Sequence, residues 1–121
     1  MEIKFWVDHE EDDAPVRGNA MVSGDEVADR TLENAILMRL RYGDLWAWAR
    51  VTVCASIEID GQIFVGKDHL SGCSYRDEVE FKADGYFEQM KREAVADLCT
   101  ELKVAIARGK SAEFALAEIS K

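Results

Sequence analysis

The chain has 121 residues, 48% of them hydrophobic, and a formal net charge of −9. That length suits one domain with a core of its own, and the charge argues against direct binding of nucleic acid or an anionic membrane. No uncharged apolar run is long enough to span a bilayer. The opening Met1-Glu2-Ile3-Lys4 lacks signal-peptide character, and the three scattered cysteines point to reduced thiols rather than a disulfide framework.

The charge is uneven. Residues 1–35 hold ten acids against three bases, or −7, and residues 36–121 hold fourteen against twelve, or −2. Such a chain is attracted to basic proteins, including those that bind nucleic acid.

Ile3, Phe5 and Val7 alternate with Lys4, Trp6 and Asp8, the period of a short strand. Asp8, Glu10, Glu11, Asp12 and Asp13 then crowd five carboxylates into six residues. That run predicts a solvated acidic loop ended by Pro15. Residues 16–24 admit either a strand or a turn, with Gly18 and Asn19 favouring the turn. Ser23-x-x-Glu26 has the form of a capping box. Ala28, Leu32, Ala35, Ile36 and Leu40 keep helical spacing, and Gly43 sits where a left-handed cap is wanted. A helix is predicted over 25–42.

A strand is predicted over 45–59. Leu45, Ala47, Ala49, Val51, Val53, Ala55, Ile57 and Ile59 line one face, while Trp46 and Trp48 begin the other. Asp60-Gly61 is a two-residue hairpin signal, because a type I′ turn needs positive φ at both positions. It sets Ile57 opposite Phe64, Glu58 opposite Ile63 and Ser56 opposite Val65. Trp46, Trp48, Ile63 and Val65 then share an apolar second face, to be covered by the same chain or by a partner. Residues 66–81 read as a loop with a short third strand near Cys73–Arg76. The last long helix is expected over 84–107, with Phe87, Met90, Ala94, Leu98, Leu102, Ala105 and Ile106 on one face. Gly109 closes it, and Ser111 caps a short final helix. The expected fold is a single α+β domain, 1–121. It has an antiparallel sheet of three to four strands with both main helices packed on its apolar face.

Enzymatic signatures are weak. His69 lies near Asp68 and Cys73, but no local motif supports a nucleophilic triad. Two histidines and three cysteines without CxxC or HxxxH give no zinc pattern. The acidic run lacks the glycine and distal glutamate of a calcium loop, and there is no P-loop or GxGxxG. No metal and no cofactor is expected. The middle of the chain echoes the helix–three strands–helix order of the double-stranded-RNA-binding domain. Its first helix carries Asp25, Glu26, Asp29 and Glu33 where an RNA binder needs bases.

Acid spacing is more informative. Asp25, Asp29 and Glu33 recur at i, i+4, i+8, and so do Glu93, Asp97 and Glu101. Like charges so spaced oppose a helix by about 0.2–0.5 kcal/mol per pair. Exposed helices are commonly charged, and acids near a helix N-terminus are favoured. The alternative is a pair of acidic ridges that, with the Asp8–Asp13 run, occupy a basic groove.

The words "DDAPVRGNAMVSGD" (12–25), "GDLWAWARVTV" (43–53), "DHLSGCSY" (68–75) and "DGYFEQM" (84–90) resemble a family of small tailed-bacteriophage proteins. The resemblance covers most of Asp12 to Met90 and carries no catalytic residues. It implies a phage or prophage origin and a bacterial host cytoplasm. By analogy of class, it also implies an inhibitor of host defence of the anti-CRISPR or antirestriction type. The expectation is therefore a non-catalytic protein whose partner is a host protein with a basic, nucleic-acid-binding surface. The alternative is a phage structural or regulatory protein that dimerises through the Trp46/Trp48 face.

Overall fold

The computed structural model describes residues 2–121. Strands β1 (Lys4–Glu11), β2 (Ala49–Ile59) and β3 (Gln62–Cys73) form an antiparallel sheet in the order β1-β2-β3. Helix α1 (Glu26–Arg41) joins β1 to β2, and the short α2 (Glu78–Ala83) and long α3 (Tyr86–Ile119) follow β3. This is the expected α+β fold with two main helices. Only two strands separate α1 from α2, so the double-stranded-RNA-binding order is not reproduced.

The hairpin forms as its turn dictates. Asp60 has φ 51° and Gly61 φ 82°, and Ile57, Glu58 and Ser56 face Phe64, Ile63 and Val65. Alternation along β2 turns Val51, Val53 and Ala55 to one face, where all three are fully buried against Met90, Ala94 and Leu98 of α3. Gly66 pairs with Ala55 on that face. A Cβ there would lie 2.2 Å from both the Ala94 carbonyl oxygen and the Leu98 nitrogen. Helix backbone rests on strand backbone at this point, and only glycine permits it.

Helix α1 sits elsewhere than expected. It packs on a 3-10 turn, Leu45–Ala47, at one end of the sheet, not on the apolar face beside α3. A small second core forms there from Val16, Ile36, Ala47 and Trp48. The helix ends as its sequence predicts: Gly43 has φ 86°, and the Gly43 and Asp44 amides donate to the Leu40 and Arg39 carbonyls. It starts differently. The N-cap is Asp25, whose side chain accepts from the Val27 and Ala28 amides, while Ser23 bonds to Asp29.

Several boundaries also differ. The second strand starts at Ala49, since residues 45–47 coil into the 3-10 turn. Strand β1 runs on through Glu11, so Asp8, Glu10 and Glu11 lie on a strand and not in a loop. An edge strand tolerates such charges because its flank is solvated. Residues 16–24 turn, with the Asn19 and Ala20 amides donating to the Val16 carbonyl. The separate strand near Cys73–Arg76 is instead the end of β3, which passes a bulge at Gly72, φ 67°. Helix α3 runs straight through Gly109, and Ser111 bonds back to the Ala107 carbonyl rather than capping a new helix. One glycine costs about 1 kcal/mol against alanine, too little to break a helix of good formers on both sides. Ala105 and Ile106 still border the hairpin end of the sheet; beyond them Phe114, Leu116 and Ile119 are exposed.

Candidate interaction surface

The acids singled out from sequence fall into two groups. Asp12, Asp25, Asp29, Glu33 and Asp97 are engaged inside the chain. Asp12 accepts from the Ala14 and Gly72 amides, stapling the end of β1 to the β3 bulge. Asp25 caps α1, and Asp29 takes the Ser23 amide and hydroxyl. Glu33 is buried, accepting from the Gly18 amide at 2.7 Å and the Arg17 guanidinium at 3.2 Å. Asp97 accepts the Lys67 amide of β3 at 2.8 Å.

The Asp25–Asp29–Glu33 stripe is therefore the seat of the 16–25 segment rather than an open ridge. Its mutual repulsion is offset by backbone amides and Arg17, each bond to a charged group being worth about 1.5–3 kcal/mol. The second stripe is interrupted by Asp97 in the same way.

The remaining acids face solvent. Asp8 holds the Trp6 indole N–H at 3.1 Å, and Glu10 lies 3.9 Å from Arg50. Glu11, Asp13, Glu93 and Glu101 are exposed and, among the described residues, make no hydrogen bond or ion pair within the chain.

The tryptophans do not form a shared face. Trp46 is 8% exposed and stacks on His9 with ring centroids 4.3 Å apart, edge-on to Tyr75 and tilted over Phe81. Trp48 is 3% exposed in the second core, and its indole N–H donates to the Ala14 carbonyl at 2.7 Å. The 3-10 turn sends the two rings into separate cores, and the chain's own N-terminal segment covers them. Ile63, 64% exposed, and half-buried Val65 lie apart from them on the open face of the sheet. The proposed Trp46/Trp48/Ile63/Val65 dimer patch is thus not assembled.

The nucleophile candidates are dispersed as well. Asp68 and His69 are neighbours on β3 and point to opposite faces. His69 Nδ1 pairs with the Thr52 hydroxyl at 2.8 Å, and the Cys73 thiol turns to the Leu70 carbonyl. Burial pushes the Cys73 thiol up to about 11, with Asp12 and Asp84 adding to the effect. Burial, then Asp8, raises the Cys54 thiol. A reactive thiol needs the opposite shift. A concavity of about 580 Å³ between the 16–24 turn and α1 is lined by Met21, Val22, Val27, Glu26 and Arg30, with no cysteine or histidine. Among the described residues no three acids, histidines or cysteines gather in a metal-binding group. None of the described helices is long and apolar enough to cross a membrane.

Sequence reasoning missed Trp6 on the open sheet face and the free edge of β1. The alternation of Ile3 to Asp8 marked a strand, but nothing in it marked an edge. No protein-family model, curated protein or solved structure matches the chain.

Proposed function

We propose that the protein acts by binding rather than by chemistry. It is a phage-type accessory protein that occupies a basic, nucleic-acid-binding surface of a bacterial defence complex in the host cytoplasm and blocks it. One observation carries the reading: among the described residues Glu11, Asp13, Glu93 and Glu101 stay exposed with no partner, whereas the acids that the fold needs are bonded. Unpartnered carboxylates on a protein of net charge −9 suit a cationic target and repel nucleic acid itself. The raised pKa values of Cys54 and Cys73 argue against either of those two thiols as a nucleophile.

The test is affinity capture from a bacterial lysate with the wild type and two variants as bait, Glu11→Gln/Asp13→Asn and Glu93→Gln/Glu101→Gln. The expected result is a CRISPR or restriction subunit held by the wild type and lost on adding salt, since exposed pairs are screened beyond about 8–10 Å. At least one variant should lose it at low salt. Capture that is unchanged in both variants and insensitive to salt would remove the acidic mechanism.

A further inference from the structure

A three-stranded sheet has two outer edges, and this molecule treats them differently. Along β3, α3 crosses in backbone contact at Gly66, and Asp97 accepts the adjacent Lys67 amide. That edge is occupied at its middle. Along β1 the edge is open. The Asp12 amide donates to the Trp48 carbonyl at 3.0 Å, continuing the ladder in which Glu11 faces Ala49 and Lys4 faces Ser56. Antiparallel ladders alternate, so Lys4, Trp6, Asp8 and Glu10 turn their backbone groups to β2. Phe5, Val7, His9 and Glu11 turn theirs outward. Among the described residues none of these outward groups has a partner in the chain. The strand carries large apolar side chains on both faces, with Phe5 41% and Trp6 39% exposed.

We propose that β1 pairs antiparallel with β1 of a second copy, about a two-fold axis at Val7, joining two three-stranded sheets into one. The strand is self-complementary in that register. Lys4 comes opposite Glu10 of the second copy, Trp6 opposite Asp8, Phe5 opposite His9 and Val7 opposite itself. Within β1 no like charges meet and the opposed ion pair occurs twice; beyond the strand Glu2 comes opposite Asp12, whose carboxylate is already held by the Ala14 and Gly72 amides. The neighbouring registers are worse: an axis at Asp8 sets Asp8 against its own copy, and an axis at Trp6 sets Glu10 against Glu2. Parallel in-register pairing opposes all of Asp8, Glu10 and Glu11 to themselves.

The helix side also matches. Phe5 borders a groove with Glu88, Lys91, Arg92 and Val95 of α3; the Lys91 ammonium lies 5.4 Å from the Phe5 ring centre and 3.2 Å from the Glu88 carboxylate. Glu11 of the second copy, on the same side of the sheet as Phe5, is brought toward Arg92, which has no acidic partner among the described residues. The outward amides and carbonyls of Phe5, Val7 and His9 then gain partners.

The test is sedimentation equilibrium with backbone amide hydrogen exchange on the full chain. The wild type should show twice the monomer mass, with the Phe5, Val7 and His9 amides protected at high concentration and released on dilution. Lys4→Glu and Glu10→Lys should each weaken the dimer about tenfold, since each reversal acts twice by symmetry. The double variant Lys4→Glu/Glu10→Lys should restore it. A chain that stays monomeric to about 1 mM, with freely exchanging Val7 and His9 amides, overturns the proposal. So does a dimer indifferent to both single reversals. Neither outcome bears on capture through Glu93 and Glu101, which lie on α3 and take no part in the β1 pairing.

Discussion

Replacing Gly66 by alanine should be among the most damaging small changes available in this chain. The added methyl would meet the Ala94 oxygen and the Leu98 nitrogen at 2.2 Å, against an ordinary contact of 3.4 Å or more. Strand and helix would have to part by about 1.2 Å, the difference of those distances. Neither side has a flexible side-chain end that can swing away, because both contacts are backbone. The shift would also loosen Ala94 and Leu98, which are 0% and 2% exposed, from Val53 and Ala55. Overpacking a tight core costs about 1–3 kcal/mol, and the lost packing places Gly66→Ala near the upper end. Thermal unfolding should fall by roughly 10 °C for such a loss in a domain of this size.

Urea denaturation followed by far-ultraviolet circular dichroism measures it directly. Gly109→Ala is the control: its Cβ meets nothing within 4 Å, and the site is helix interior. That variant should gain about 0.5–1 kcal/mol. A Gly66→Ala protein within about 0.5 kcal/mol of the wild type would refute the close approach. A destabilised Gly109→Ala protein would refute the unbroken helix.

Three further outcomes are expected. Asp25→Asn/Asp29→Asn/Glu33→Gln should be less stable in urea, with Glu33→Gln alone costing about 1–3 kcal/mol; a more stable triple variant would mean that repulsion dominates the stripe. Acrylamide should quench Trp6 readily but Trp46 and Trp48 poorly, so Trp6→Phe should leave a protected, blue-shifted emission; free quenching of that variant contradicts the two cores. An unfolded thiol ionises near 9.0 and folded Cys73 at about 11, so between those values the unfolded chain binds fewer protons and stability falls as pH rises. Tyr75, raised above its ordinary 10.0 by burial and its bond to Asp84, acts in the same direction. The decline measured from pH 9 to 11 should be shallower in Cys73→Ser; an equal decline in both proteins removes Cys73 as its source.

What could be read from the sequence was local. Asp60-Gly61 specifies its hairpin and register because two residues with positive φ suffice for the turn. Gly43 ends α1 through bonds that span only a few residues. The apolar alternation of β2 and the helical period of residues 87–102 identify the main core for the same reason. Tertiary structure decided whatever depended on distant partners. Asp12 meets Gly72 across 60 positions and Asp97 meets Lys67 across 30, so carboxylates that look alike as a charge pattern separate into engaged and free. Trp46 and Trp48 continue an alternating pattern, yet the 3-10 turn that breaks it lets each ring fill a different core. Gly109 carries the same local signal as Gly43 but lies within a continuing helix, and Gly66 carries no turn signal although helix and strand touch there. Periodicity records what each residue does to its own backbone. Which group meets it across the fold is set by how the elements pack.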